Sequence, residues 1–130
     1  MIPKMGNALW LYDDDFKHLN FLDKIGNLFS GVKPLHSHAG LIGLENGRIC
    51  LESESDTLEI ALIAITQIYL GFDKNYKRAY VKNFGTTWQP LKITFTTLAL
   101  TTRVVYLIID FNYFSTSNKH WYDLLQERLS

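Results

Sequence analysis

The dipeptide Asn46-Gly47, set between two stretches of alternating apolar and polar residues, constrains the fold of this chain more than any other feature. Asn and Gly accept the positive φ angles of a two-residue type I′ turn between antiparallel strands. The pairs predicted across the turn are Glu45 with Arg48, Leu44 with Ile49, and Ile42 with Leu51. The sequence therefore predicts a hairpin with one buried face and with Glu52 and Glu54 on the solvated face.

The same two-residue period recurs on both sides of the hairpin and predicts further strands. The alternation after Pro90 is the clearest, because apolar and polar residues alternate without interruption from 91 to 96. The other strands are predicted at 8–12, 58–62, 67–72 and 103–111, with a bend near Thr66. Such a succession of short strands is typical of an antiparallel meander.

Two segments instead show helical spacing. Residues 15–30 are predicted as a helix, with Asp13-Asp14-Asp15 capping its positive end and Gly31 ending it. Residues 115–130 are predicted as an amphipathic helix that begins at the capping sequence 115–118. Its buried stripe comprises Trp121, Leu124, Leu125 and Leu129.

Size and composition favour one folded domain. A chain of 130 residues that is 47% apolar can bury a core, and its single cysteine, Cys50, excludes an intrachain disulfide. The start of the chain lacks a signal-peptide pattern, and the longest apolar runs, 60–65 and 104–109, are too short to span a bilayer. We therefore expect a cytoplasmic protein.

The order of these elements resembles the pleckstrin-homology-like (PH/GRAM-type) superfamily, over residues 33–130. Residues 47–51 and 60–68 are similar to GRAM-type and bacterial PH-like strand patterns, and Trp121 matches the tryptophan of the family's terminal helix. The resemblance implies a mainly β fold with α: a bent antiparallel barrel of six or seven strands capped by a C-terminal helix. Residues 1–32 are expected to form an N-terminal extension with a short strand and a helix.

The resemblance implies a binding module rather than an enzyme, but one departure affects the ligand. Phosphoinositide-binding relatives present several cations from a roomy loop between the first two strands, whereas the tight turn 44–48 offers only Arg48. Specific inositol-lipid binding is therefore not expected, and fold alone does not transfer function.

Catalytic and metal-binding motifs are not recognisable in the sequence. There is no phosphate-binding glycine loop, nucleophile elbow or paired Cys-x-x-Cys. His36 and His38 can share one face of a strand, but two ligands are too few for a metal site. The carboxylates of Asp13-Asp14-Asp15 lack the spacing of a calcium loop. We expect no catalysis, no cofactor and no bound metal.

The segment 74–88 is the predicted contact element, because it interleaves cations with aromatic residues and contains no carboxylate. Its candidate binding residues are Lys74, Lys77, Arg78, Lys82, Tyr76 and Tyr80. An exposed loop of this composition suits an acidic partner or a weak, salt-sensitive contact with an anionic membrane surface. A net charge of zero argues against nucleic acid. A loop that is merely solvated remains the alternative.

Three functions are compatible with the sequence. The first is a noncatalytic interaction module that binds an intracellular protein or peptide through the 74–88 loop or an exposed strand edge. The second is a small-ligand-binding barrel or an enzyme with an internal cavity. The third is an acidic inhibitor or immunity-type protein that covers a basic partner with Glu52, Glu54, Asp56 and Glu59.

Overall fold

The computed structural model describes residues 4–18, 36–77, 87–112 and 115–129. Within these ranges the chain is mainly β, as predicted, with seven strands and a C-terminal helix. The strands are β1 (Lys4–Tyr12), β2 (His38–Glu45), β3 (Arg48–Glu52), β4 (Thr57–Ala61), β5 (Ile65–Leu70), β6 (Leu91–Thr96) and β7 (Thr102–Ile109). The helices are α1 (Asp15–His18) and α2 (Asn118–Leu129), and a 3-10 turn spans Leu62–Ala64. Neither helix is long and apolar enough to cross a membrane.

All seven strands belong to one sheet in the order β4-β3-β2-β1-β7-β6-β5. The pairs are antiparallel throughout. Among the described strands, β4 and β5 are the two edges and do not pair with each other, so the predicted closed barrel is wrong. They follow each other in sequence, but the 3-10 turn separates them, and α2 packs against β5, β6 and β7. The helix thus covers apolar surface that the sheet does not enclose by closing on itself.

The β2–β3 hairpin confirms the predicted register. The partners are those expected from the alternation, from Glu45 with Arg48 to Ile42 with Leu51. Asn46 and Gly47 have φ angles of 52° and 75°, as a type I′ turn requires. Local turn chemistry and hydrophobic alternation agree here, so the sequence alone is enough to specify the pairing.

The larger core lies between α2 and the concave face of the sheet. Trp121 and Leu125 are fully buried in it, as the helical stripe predicts. Leu124 is partly buried, whereas Leu129 is 38% exposed, so its predicted burial is wrong. Leu129 is the last helical residue and lines an open groove beside the 3-10 turn.

Asn118 fixes the start of α2 to the sheet. The side chain is 1% exposed; its Oδ1 accepts the Ile109 N–H at 2.8 Å, and its Nδ2 donates to the carbonyl oxygens of Gln89 and Leu107 at 2.7 and 3.1 Å. Burial of an amide is tolerated because its donors and acceptor are satisfied. The residue predicted as a helix cap therefore acts mainly as a tether between elements.

A smaller core occupies the opposite face of the sheet. It contains Leu9, Leu11, Phe16, Tyr76, Trp88, Tyr106 and Ile108. The strand expected in the N-terminal extension is β1, which runs through the middle of the sheet between β2 and β7. Of the predicted helix 15–30, the structure describes only α1, where Asp15 accepts the Tyr12 N–H at 2.8 Å. The remainder lies outside the described residues.

Candidate interaction site

The predicted contact loop is only partly available for binding. Lys74 and Lys77 are exposed, but Tyr76 is fully buried, so its predicted exposure is wrong. Its ring packs edge-on against Phe16, with the centroids 5.6 Å apart. The other three candidates, Arg78, Tyr80 and Lys82, lie outside the described residues. The base of this loop is therefore part of the smaller core.

Asp73 explains why Tyr76 turns inward. One carboxylate oxygen accepts the backbone N–H groups of Asn75 and Tyr76, at 2.9 and 2.8 Å. The other accepts the Tyr106 hydroxyl at 2.7 Å and lies 3.0 Å from the Lys92 ammonium. Partial burial acts to raise the pKa of Asp73, but these hydrogen bonds bring it below its usual range. The carboxylate folds the segment back onto β6 and β7.

The histidines and aspartates considered as metal ligands do not assemble into a site. His38 Nδ1 lies 2.8 Å from Ser55 Oγ, and its ring packs against Trp10 and Tyr12. Over the ranges that the structure describes, no three His, Cys, Asp or Glu side chains are grouped as a metal site needs. The sequence Asp13-Asp14-Asp15 organises the turn into α1 through local hydrogen bonds.

Asp56 is the centre of a polar cluster that sequence reasoning missed. Its Oδ2 accepts the Trp10 Nε1–H at 3.0 Å and the Tyr12 hydroxyl at 2.5 Å. The Arg103 guanidinium lies 3.9 Å from the centre of the Tyr12 ring. Partial burial acts to raise the pKa of Asp56, but the two hydrogen bonds bring it below its usual range, whereas burial and then Asp56 raise the pKa of Tyr12. The hydrogen bonds of Asp56 thus stabilise the fold.

An open cleft lies where the sheet fails to close, between β4 and the β6–β7 turn. It has a volume of about 570 Å³, and its lining includes Leu58, Ile60, Phe95, Leu98 and Arg103. Leu98, at the tip of the turn, is fully exposed. An apolar cleft of this size can receive side chains of a bound segment.

Within the part of the chain that the structure describes, the outer edge of β4 beside this cleft is unpaired. The hydrogen bonds from Ser53 N to Asp56 O and from Leu62 N to Gly47 O, at 2.8 and 2.9 Å, fix the β3–β4 ladder. Because bonded pairs alternate in an antiparallel ladder, the N–H groups of Thr57, Glu59 and Ala61 point away from β3. All three residues are exposed. The alternating sequence predicted a strand here, but no local signal showed that it is an edge.

The described part of the chain thus brings together an unpaired strand edge, an apolar cleft and exposed carboxylates on neighbouring strands. These features meet at the gap between β4 and the β6–β7 turn. Comparison of the sequence with known proteins found no matching family model and no matching curated protein.

Proposed function

We propose that this chain is a noncatalytic interaction module that binds a segment of another protein by adding it to the sheet as a strand beside β4. The observation that carries the proposal is the row of outward N–H groups at Thr57, Glu59 and Ala61. In strand addition, backbone hydrogen bonds supply affinity and pockets for alternate side chains supply specificity.

The cleft supplies those pockets. Leu58 and Ile60 point to the concave side of β4, where Phe95 forms the facing wall. A strand beside β4 places every second side chain on this side, since side chains alternate between the two faces of a sheet. The backbone edge and the cleft therefore act on the same bound segment.

We also propose that the fold is PH-like. Support comes from seven antiparallel strands in a single sheet followed by one helix whose buried Trp121 packs on the concave face. In this arrangement the gap beside β4 replaces the closed side of a barrel. The scaffold positions the binding edge, while the chemistry of binding depends on the residues at that edge.

The test compares two substitutions at one position, Glu59→Pro and Glu59→Ala. Both remove the carboxylate, but only proline removes the outward N–H, which makes no bond to β3. Proline is tolerated on edge strands where its N–H side faces solvent. The probe is a set of peptides selected on the wild-type protein from a random displayed library, and binding is measured by fluorescence anisotropy.

We expect the selected peptides to bind Glu59→Ala within a few-fold of wild type and Glu59→Pro at least about tenfold more weakly, the scale of one lost hydrogen bond plus steric exclusion. Bound peptide should slow amide exchange at Thr57, Glu59 and Ala61. Equal binding to both variants, protection confined to other strands, or a library that yields no binder would each contradict strand addition at β4.

A further inference from the structure

The outer face of the sheet next to β4 carries an excess of negative charge. Cross-strand pairing places Glu45, Arg48, Cys50, Glu52 and Glu59 on this face, opposite to the concave side. Three carboxylates and one guanidinium give a formal charge of 1 − 3 = −2. All four charged side chains are exposed.

Pairing within this face does not cancel the excess. Arg48 lies 3.3 Å from Glu59, which accounts for one carboxylate. Glu45 lies directly opposite Arg48 on β2, and Glu52 lies opposite Thr57 on the row next to Glu59. Partial burial and the Glu59 charge raise the pKa of the Cys50 thiol, consistent with a negative local field. The outer face therefore favours cations and disfavours further carboxylates.

A segment added to β4 meets both environments in alternation. Side chains on its concave side enter the apolar cleft beside Leu58 and Ile60, and those on its outer side lie next to Glu59. Of the other outer residues of β4, Thr57 lies opposite Glu52 on β3 and Ala61 lies opposite Arg48, so the negative charge is concentrated at the Thr57–Glu59 part of the edge. Apolar packing thus selects the side chains on the concave side of the bound strand, and electrostatic attraction selects those on its outer side.

We infer that the preferred partner is a protein segment in which apolar residues alternate with Lys or Arg. This inference rests on the proposed strand addition at β4 and adds the chemistry of the partner. Exposed charges contribute modestly to affinity, so their main effects are on partner choice, association rate and salt dependence. Apolar side chains in the cleft and backbone hydrogen bonds supply the remainder.

The test uses three labelled synthetic peptides of about seven residues, a length near that of an average strand. Valine alternates with lysine in the first, with serine in the second and with glutamate in the third. Fluorescence anisotropy gives the dissociation constant at about 0.05 M and about 0.5 M salt, concentrations at which exposed charges are weakly and strongly screened. The proteins are wild type, Glu59→Pro, the double variant Glu52→Gln/Glu59→Gln, and Asp123→Asn. Asp123→Asn changes charge on the exposed face of α2.

We expect the lysine peptide to bind about tenfold more tightly than the serine peptide at low salt, and the glutamate peptide to bind most weakly. High salt and the double glutamine variant should each remove the lysine advantage, whereas Asp123→Asn should keep it. Glu59→Pro should weaken every peptide.

The outcomes separate the two proposals. If the serine and lysine peptides bind equally and Glu59→Pro weakens both, strand addition stands and the charge preference is wrong. Tightest binding of the glutamate peptide would likewise overturn the charge preference. If the lysine peptide binds wild type and Glu59→Pro equally, its attraction is not tied to the edge, and both proposals are overturned. Failure of all three peptides to bind also contradicts both.

Discussion

Trp121 shows at the scale of one residue how packing outweighs an unmet polar group. Its side chain is fully buried, yet its Nε1 has no hydrogen-bond partner among the described residues. An unsatisfied buried donor costs about 1–3 kcal/mol, whereas emptying a buried aromatic site costs about 3–5 kcal/mol. The apolar contacts of the indole therefore determine its contribution to stability.

We expect Trp121→Ala to lower the free energy of unfolding by about 3–5 kcal/mol and Trp121→Phe to lower it by less than half as much. Phenylalanine keeps an aromatic ring in the core and removes the unpaired N–H, although it leaves a smaller void. Urea unfolding followed by far-UV circular dichroism measures both. Equal losses for the two variants would show that the indole N–H is satisfied and stabilising.

Single residues also show where prediction from sequence is limited. Periodicity placed Trp121 and Leu125 correctly because the helix presents one stripe to one sheet. Tyr76 was misplaced, since its burial depends on Asp73 bonding both to its N–H and to Tyr106, 33 residues away from Asp73. Asp56 was likewise interpreted as part of an exposed acidic stretch, whereas Trp10 and Tyr12, far away in sequence, hold it. The distant partners, Tyr106 for Asp73 and Trp10 and Tyr12 for Asp56, have no local signal in the sequence.

At the scale of elements, two glycines of the β2–β3 hairpin meet different constraints. A Cβ at Gly40 would lie 2.0 Å from the Glu52 backbone oxygen, which cannot move without disturbing the neighbouring strand. A Cβ at Gly47 meets nothing within 4 Å, but its φ of +75° disfavours any L-residue. One position is limited by packing and the other only by backbone conformation.

We expect Gly40→Ala to cost about 3 kcal/mol or more, the upper end for overpacking, and Gly47→Ala about 1 kcal/mol, the scale of a left-handed non-glycine residue. Thermal unfolding shows which of the two variants is less stable, and amide exchange shows which strands are destabilised in each. Gly40→Ala should increase exchange along β2 and β3, whereas Gly47→Ala should affect mainly the turn. A Gly40→Ala protein as stable as Gly47→Ala would mean that the strands separate at little cost.

The strands themselves were predictable from alternation, and their arrangement was not. Each period-two segment that predicted a strand contains one, because the pattern reports how side chains divide between two faces. The neighbours of β4 and β5 depend on the 3-10 turn at Leu62–Ala64, which directs the chain away from β4. The candidate site exists because of that separation, so strand patterns alone did not reveal it.

At the scale of the whole molecule, two carboxylate clusters join parts of the chain that are distant in sequence. Asp56 ties the β3–β4 connection to β1, and Asp73 ties the segment after β5 to β6 and β7. Each accepts a tyrosine hydroxyl, and each has a pKa below its usual range because hydrogen bonding outweighs partial desolvation. The stability of the fold as a whole is therefore linked to pH.

The sign of the linkage follows from the lowered pKa values. A carboxyl group with a folded-state pKa below its unfolded value of about 3.9 stabilises the protein fully above that value. The contribution is lost as pH falls through the unfolded and then the folded pKa. We therefore expect the free energy of unfolding of wild type to decrease below about pH 5. The double variant Asp56→Asn/Asp73→Asn should show a shallower decrease.

Near neutral pH the double variant should be less stable than wild type by about 1–2 kcal/mol, because asparagine replaces charge-assisted hydrogen bonds with neutral ones. The loss is modest because solvent reaches both carboxylates and weakens their interactions. That difference should shrink as pH falls below about 5, because the carboxyl groups of the unfolded wild-type chain take up protons first and the folded-state carboxylates do so only at lower pH. Urea unfolding at several pH values measures it, with Asp123→Asn as the matched charge change away from both clusters. A stability difference that stays constant down to about pH 3 would show that the two aspartates act through packing. Only an ionised carboxylate can produce a stability difference that becomes smaller on protonation.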